Sequence, residues 1–343
     1  MSSVKQYKCL NCNAGLKFDP PSQLWKCEYC FGEFTKEQLD SIQKVDEQLD
    51  QEMPDLESYH CNNCGAELIT DGTTSATFCL YCKSPTVIKA RFTGRFKPKY
   101  LIPFKLTKKQ AEELYKNWIR KKLLAPSAFK QKEEIEKITG VYAPFWLFDC
   151  KVKAHIGGEA TRVRTWTQGN YRITQTQYYR VARAGKIEYD KIPVDASKKL
   201  DDGLMQLVEP YNYQDLTDFS MQYMSGFMAE KYDVESKDAQ AVMQSRVEGY
   251  AEQRLRGTIQ GYTSTTISHK QVDFEEITDS YAMLPIYLLV NKHKDKNHTF
   301  IINGQTGKVV GETPLSRGKQ LAFAGCVFAA VWFLIVFGGA LFA

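Results

Sequence analysis

Eight of the ten cysteines form one pattern that occurs twice in the chain. In each copy, two Cys-x-x-Cys pairs are separated by fourteen residues, and each cysteine of the second copy lies 52 residues after its counterpart in the first. Two residues between cysteines allow both sulfur atoms of a tight turn to face one ion, and two such turns supply the four thiolates of a tetrahedral zinc site. The pattern therefore predicts two structural zinc ions. The first set of ligands is Cys9, Cys12, Cys27 and Cys30, and the second set is Cys61, Cys64, Cys79 and Cys82.

Both predicted metal sites are closed. Four thiolates fill the coordination shell of zinc and leave no position for water or substrate, which is typical of structural rather than catalytic zinc. Each copy is only about 30 residues long, too short to bury a sufficient core alone, so metal binding would supply about 10–16 kcal/mol of folding free energy. Two alternatives stay open at this point: two pairs of disulfides, and iron in the first set, as in rubredoxin.

The segment between the two cysteine sets is acidic. Residues 33–57 contain nine acidic residues and two lysines. Thr35 and Gln38 have the spacing of a capping box, and apolar residues then recur at helical spacing. We therefore expect an acidic helical linker, with a solvated spacer as the alternative.

The segment that follows the second set is basic. Residues 83–122 contain thirteen Lys or Arg and two acidic residues. This mixture of basic and aromatic residues suits contact with an anionic surface, either lipid head groups or a nucleic-acid backbone. The alternative is a solvated basic edge whose aromatic side chains join the core. The residues that could make the contact are Arg91, Arg95, Lys97 and Lys99, interleaved with Phe92, Phe96 and Tyr100.

The long middle segment mixes strand and helix patterns. Runs of aromatic and β-branched residues predict strands, with hairpin turns at Ala184-Gly185 and Asn303-Gly304. Helical spacing predicts helices over 108–123, 219–232 and 238–256. Strands before and after a helical block predict an α+β domain with an antiparallel sheet. The predicted strands are 141–156, 161–166, 171–184, 186–189, 258–268, 282–291, 298–302 and 308–310.

The C-terminal segment is apolar. Residues 321–343 contain no charged side chain, and as a helix they would span about 34 Å, enough to cross a hydrocarbon core of about 30 Å. Arg317 and Lys319 precede the segment, so the positive-inside rule places the preceding domains in the cytoplasm, where cysteines stay reduced. We therefore expect a tail-anchored, single-pass protein of the cell membrane. A buried core helix is the alternative.

Together these segments predict a multidomain protein with two small four-cysteine zinc ribbons, an α+β domain with an antiparallel sheet and one C-terminal transmembrane helix. The expected domains are the first zinc ribbon at 1–34, the acidic helical linker at 35–58, the second zinc ribbon at 59–90, the α+β cytoplasmic domain at 91–316 and the membrane anchor at 317–343.

Catalytic motifs are missing from the sequence. It contains no GxSxG nucleophile elbow, no HExxH zinc-protease motif and no dinucleotide-binding fingerprint. The stretch GQTGKVV at 304–310 lacks the spacing of a phosphate-binding loop and reads as a hairpin turn. The five histidines are scattered along the chain. We therefore expect neither enzymatic activity nor a small-molecule substrate.

Several segments beyond the cysteines carry a resemblance to a known family. They are YLIPFK at 100–105, GVYAPFWLFD at 140–149, SGFMAEKYDV at 225–234 and NGQTGKVVGETP at 303–314. With the duplicated ribbons and the apolar C-terminus, the chain resembles the TFIIB-type zinc-ribbon membrane proteins of Firmicutes over almost its whole length. Some of those proteins carry a label borrowed from the primosomal replication helicase, but a chain of 343 residues with no Walker loop does not fit a helicase.

The resemblance implies a function and partners. Members of that family are encoded beside flotillin-like SPFH proteins and phage-shock-type proteins, and are thought to recruit them to the membrane under envelope stress. The chain is therefore expected to be a non-enzymatic, zinc-binding, membrane-anchored adaptor that docks partners through ribbon loops such as 18–25 and 68–78. The alternative is a membrane-tethered nucleic-acid-binding protein linked to replication or transcription.

Overall fold

The computed structural model describes residues 4–5, 7–43, 58–60, 67–69, 74–78, 85–88, 96–293 and 296–338. The strands are β1 (Val4–Lys5), β2 (Leu16–Asp19), β3 (Leu24–Cys27), β4 (Glu33–Phe34), β5 (Ser58–His60), β6 (Glu67–Ile69), β7 (Thr74–Phe78), β8 (Pro85–Ile88), β9 (Tyr100–Leu101), β10 (Thr139–Gln168), β11 (Tyr171–Asp195), β12 (Thr217–Asp218), β13 (Met228–Glu230), β14 (Ser264–His293), β15 (Lys296–Asn303) and β16 (Val309–Gly311). The helices are α1 (Lys36–Gln43), α2 (Lys108–Arg120), α3 (Lys132–Ile135), α4 (Asp202–Leu207), α5 (Ser236–Arg256) and α6 (Arg317–Gly338).

One large, mainly antiparallel sheet dominates the described residues. Its strands run in the order β1, β8, β7, β13, β10, β14, β15, β16, with β11 alongside β10 and the β9–β12 pair alongside β14. Only two of its pairings, β10 with β13 and β14 with β9, are parallel. Two smaller sheets are formed by β2, β3 and β4 and by β5 and β6.

Three long strands form the centre of the sheet. β10 and β14 have 30 residues each and β11 has 25. At about 3.3 Å per residue, β10 extends over about 100 Å. It pairs with β14 from Thr139 to Thr161 and with β11 from Phe145 to Gln168. The last part of the β10–β11 hairpin therefore continues beyond the start of β14.

The burial pattern changes along β10. Residues 141–148 are buried without interruption, because apolar clusters cover both faces of the sheet there. Further along, burial alternates, with Val152 and Ala154 buried and Lys151 and Lys153 exposed. The covering element on the buried face is α5, whose buried residues recur every four positions and form one stripe. They are Ala239, Met243, Val247, Ala251 and Leu255.

The expected α+β architecture is wrong, because several predicted segments merge or change type. The predicted strands 141–156 and 161–166 are one strand, β10, and 171–184 and 186–189 are one strand, β11, without a turn at Ala184-Gly185. The break near Gly157 and Gly158 is only a shift in register. A Cβ at Gly158 would lie 2.1 Å from the carbonyl oxygen of Thr266, so glycine allows the two strands to approach closely.

The helix predicted over 219–232 is also wrong. The structure has a 3-10 turn at Met221–Met224 followed by β13. Gly226 between them has a φ of +99°, which ends any right-handed helix. By contrast, α5 and the turn between β15 and β16 at Asn303 agree with the predicted positions.

The expected transmembrane helix is not supported, and neither is the localisation derived from it. Among the described residues, no helix combines the length and the apolar character that crossing a bilayer requires.

Candidate metal centre

The sulfur atoms of Cys9, Cys12, Cys27 and Cys30 all lie within 4.8 Å of one another. Cys9 Sγ lies 3.4 Å from Cys30 Sγ, and Cys12 Sγ lies 3.5 Å from Cys27 Sγ. Four sulfurs at about 2.3 Å from one zinc ion would be about 3.8 Å apart, close to these values. A disulfide requires about 2.0 Å, and all four cysteines are free. This first set can therefore hold a metal ion, and the disulfide alternative does not apply to it.

Two equivalent turns present the four cysteines. We call residues 9–14 the first metal turn and residues 27–32 the second metal turn. Each turn closes with a hydrogen bond from the fifth residue back to its first cysteine: Asn13 N–H to the Cys9 carbonyl at 2.9 Å, and Phe31 N–H to the Cys27 carbonyl at 3.0 Å. The β2–β3 hairpin holds the turns at one end, since Leu16 pairs with Cys27. Each residue of the second metal turn lies 18 residues after its counterpart in the first, and the two turns together form the site.

The residue after each Cys-x-x-Cys pair lies in the left-handed region of backbone space. The φ of Asn13 is 62° and that of Phe31 is 59°. Asparagine tolerates this conformation, whereas an ordinary side chain such as Phe is strained there by about 1–2 kcal/mol. The strain at Phe31 is not offset by packing, because this side chain is 83% exposed.

The four thiols differ in acidity. Burial acts to raise the pKa of the Cys27 thiol, but hydrogen bonds from the backbone of Cys30 and Tyr29 outweigh it and lower the pKa to about 7. At Cys12, a backbone hydrogen bond from Ala14 lowers the pKa, but burial and the three neighbouring thiols raise it to about 12. Metal ligation requires thiolates, so binding displaces protons and weakens as the pH falls.

The inner side of this ribbon packs against the rest of the molecule. Trp25 is 1% exposed, and its Nε1–H donates to the carbonyl oxygen of Gln222 at 2.9 Å. The backbone N–H of Phe18 donates to the carbonyl of Ser225 at 3.0 Å, and Ser225 Oγ donates to the carbonyl of Leu16. The residues buried in the ribbon belong to the same apolar cluster as the main sheet. The ribbon is therefore fixed on the body of the protein by its 16–25 side.

The outer side of the ribbon is exposed at the metal turns. Leu10 in the first turn is 45% exposed, and Tyr29 and Phe31 in the second are 80% and 83% exposed. The predicted docking loop 18–25, by contrast, holds the buried residues Phe18, Pro20 and Trp25. The stretch LKFDP at 16–20, which leads into this loop, alternates apolar and charged residues, and this is the sequence signal that the side faces the protein itself.

The other predicted site residues lie partly outside the described residues. This applies to the second cysteine set, Cys61, Cys64, Cys79 and Cys82, and to Arg91 and Arg95. Lys97 and Lys99 are exposed. Their aromatic neighbour Phe96 packs against the main core and lies 5.1 Å from the ring of Tyr232. Within its described residues, the basic segment is thus a solvent-exposed edge whose aromatic side chains pack against the core.

Within the described part of the chain, the first cysteine set is the one cluster of three or more Cys, His, Asp or Glu residues with metal-binding spacing. His155 and His269 face each other across β10 and β14, with ring centroids 5.7 Å apart. Both side chains are exposed, without a third ligand.

Comparison with known proteins gives a relative that matches over almost the whole chain. No protein-family model and no solved structure matches the chain. The chain is 34% identical over 336 residues to the Bacillus subtilis (strain 168) protein called "Uncharacterized protein YdjG". The match covers 98% of this chain and 95% of that protein.

Proposed function

Because this chain belongs to the same family as the uncharacterized protein YdjG of Bacillus subtilis, we propose its function from the metal centre itself. The protein is a non-enzymatic adaptor in which zinc shapes a ribbon that docks a partner protein. Cys9, Cys12, Cys27 and Cys30 hold one structural zinc ion, and the second cysteine set holds another. The resemblance described above favours a flotillin-like SPFH protein or a phage-shock-type protein as the partner.

The observation that carries this proposal is the contrast between the two sides of the ribbon. One side is fixed to the core through Trp25 and Phe18, so the ribbon cannot be a freely moving module. The other side presents Leu10, Tyr29 and Phe31 to solvent beside the ion. An exposed aromatic residue in a strained backbone conformation has no benefit for folding, which favours a role in binding.

Affinity capture with the full chain tests the proposal. Zinc-loaded protein is used to capture partners from a native lysate, and the partners are identified by mass spectrometry. The double variant Tyr29→Ala, Phe31→Gly removes both exposed rings and leaves all four ligands in place. We expect this variant to retain its zinc and to lose the flotillin-like or phage-shock-type partner.

Three further variants separate docking from folding. Cys12→Ser and Cys30→Ser remove exposed ligands, and we expect them to lose both zinc and partner. Lys132→Ala changes an exposed side chain on α3, outside the ribbon, and we expect it to capture the partner as the wild type does. Capture that persists in the Tyr29→Ala, Phe31→Gly variant would show that the metal turns are not the docking surface.

A further inference from the structure

A second exposed surface lies at the far end of the long strands. β14 begins at Ser264, opposite Thr161 of β10, so β10 and β11 continue alone to the turn at Gly169. The side chains on this hairpin between 163 and 172 are exposed on both faces. We call residues 159–183 and 254–269 the distal ribbon, since the end of α5 and the start of β14 lie against the base of the hairpin. A two-stranded hairpin exposed in this way gains little from burial.

The distal ribbon is strongly basic. It contains seven arginines and one acidic residue, Glu159, a net charge of +6. The whole chain has a net charge of only +5, so the distal ribbon is, like the basic segment at 83–122, much more positive than the average of the chain. Among the described residues, none of the seven makes an ion pair. They are Arg162, Arg164, Arg172, Arg180, Arg183, Arg254 and Arg256.

Aromatic rings are interleaved with these arginines. Tyr171 is 78% exposed, Tyr178 is 74% exposed and Trp166 is 44% exposed. Because side chains alternate along a strand, Trp166 shares a face with Arg164, and Tyr178 shares the opposite face with Arg180. Both faces of the hairpin thus offer a planar ring next to a guanidinium group.

One arginine is already held between rings. The guanidinium of Arg162 lies 5.5 Å from the ring centroid of Tyr179 and 5.7 Å from that of Tyr262. Arg162 Nε–H also donates to the carbonyl oxygen of Gly261 at 3.1 Å. These contacts tie the loop after α5 to the hairpin and give the base of the ribbon a fixed shape.

We propose that the distal ribbon binds single-stranded nucleic acid. Arginines without acidic partners attract a phosphate backbone, and exposed rings stack on bases irrespective of sequence. An acidic peptide would complement the arginines but would leave Trp166, Tyr171 and Tyr178 without a planar partner. The exposed hairpin is about 30 Å long, enough for several nucleotides. This surface is separate from the metal turns and goes beyond the proposed docking function.

Fluorescence anisotropy tests the proposal on the full, zinc-loaded chain. The probes are labelled 20-nucleotide oligo(dT) and oligo(U). With about five phosphate contacts, the logarithm of the binding constant should fall with the logarithm of salt concentration with a slope of about −3.5, or about 100-fold between 50 and 200 mM salt. Arg164→Ala and Arg180→Ala should each reduce the slope by about 0.7.

Variants that keep the charge test the role of the rings. Trp166→Ala and Tyr171→Ala should each weaken binding by about 5- to 150-fold. Lys153→Ala is the control, since this side chain lies on the same strand but pairs with Glu275 nearer the core, and its affinity should equal that of the wild type. Phe31→Gly should bind as the wild type does, which separates this surface from the metal turns. All substituted side chains are exposed. Melting temperatures equal to that of the wild type will confirm folding of the variants in the distal ribbon and at Lys153, and Phe31→Gly should melt no lower than the wild type.

Three outcomes overturn the proposal. The first is no binding of either probe at 50 mM salt. The second is unchanged affinity after the loss of Trp166 and Tyr171, which would mean attraction by charge alone. The third is an affinity for poly-glutamate that equals the affinity for the oligonucleotides and is unchanged after the loss of Trp166 and Tyr171. This result would identify the distal ribbon as a surface for an acidic protein.

Discussion

The left-handed conformation of Phe31 gives a prediction at the scale of one residue. Glycine adopts this conformation without the cost of about 1–2 kcal/mol that a side chain incurs, and its extra entropy in the unfolded chain costs about 0.5–1 kcal/mol. Phe31→Gly should therefore increase the free energy of unfolding of zinc-loaded protein by up to about 1 kcal/mol, measured by urea denaturation. Tyr29→Gly is the matched control. Tyr29 is equally exposed but has no positive φ, so this change should destabilise.

A second prediction at this scale concerns Asp195, whose carboxylate oxygens are buried at the end of β11. Burial raises the pKa of Asp195 to about 8, with a further contribution from Asp202, although backbone hydrogen bonds from Ser197 and Ala196 oppose the shift. The folded protein therefore holds this proton more tightly than the unfolded chain. The stability that the proton provides is complete below about pH 4 and is lost as the pH rises to about 8.

Asp195→Asn removes this dependence, because the amide cannot ionise. Relative to the wild type, the variant should gain free energy of unfolding progressively between pH 4 and pH 8, measured by denaturation at a series of pH values. Asp190→Asn changes an exposed carboxylate on the same strand and serves as the control. A difference between Asp195→Asn and wild type that stays constant over this range would contradict the prediction.

At the scale of elements, one buried ion pair fixes α5 to the rest of the fold. Arg246 on α5 donates through Nη2 to both carboxylate oxygens of Glu209, at 2.8 and 3.0 Å, and through Nη1 to the carbonyl of Pro193. The two side chains are only 12% and 17% exposed. Arg246→Met should reduce the free energy of unfolding by about 3–5 kcal/mol, because it leaves the Glu209 charge buried without a partner.

The double variant Glu209→Leu, Arg246→Met should recover most of that loss, since neither charge stays buried. An exposed pair provides the control. Lys132 and Glu136 on and beside α3 are 83% and 56% exposed, and Lys132→Met should cost at most about 0.5 kcal/mol. If Arg246→Met reduced the free energy of unfolding as little as Lys132→Met does, this would contradict the conclusion that the Arg246–Glu209 ion pair fixes α5 to the rest of the fold.

The elements also show which structural signals the sequence carries. The four-residue spacing of apolar side chains predicts α5 because a helix against a sheet needs one continuous stripe. The length of β10 was not predictable in the same way, since 30 residues far exceed the usual 3–10 and glycines suggested breaks. The error at 219–232 has a tertiary cause. The backbone carbonyls of Gln222 and Ser225 accept hydrogen bonds from Trp25 and Phe18 of the ribbon, and the positive φ of Gly226 ends the 3-10 turn.

The candidate metal site was more predictable than its surroundings. Four cysteines at fixed spacing define their own geometry, because the coordination sphere of the ion allows little else. The spacing of the cysteines does not show which side of the ribbon packs against the rest of the protein. That depends on Tyr223, whose ring lies 5.0 Å from the rings of both Phe18 and Trp25, nearly 200 residues away in the chain.

For the whole molecule, the shared core predicts that the metal affects more than its own ribbon. The buried residues Leu16, Phe18 and Trp25 belong to the same apolar cluster as α5 and the long strands. Ribbons of this size lose their fold without metal, so chelation should expose the cluster's N-terminal side. We expect EDTA to lower the melting temperature of the whole chain and to shift tryptophan fluorescence to longer wavelength as Trp25 meets water.

Trp25→Phe identifies the source of that signal, because the other four tryptophans lie outside the ribbon. This variant should lose most of the fluorescence shift on chelation and keep the fall in melting temperature. Zinc added back in excess should restore both in the wild type, by an amount that rises with the logarithm of its concentration. If chelation instead melted the ribbon alone and left the main transition unchanged, the ribbon would be an independent domain despite its contacts with Gln222 and Ser225.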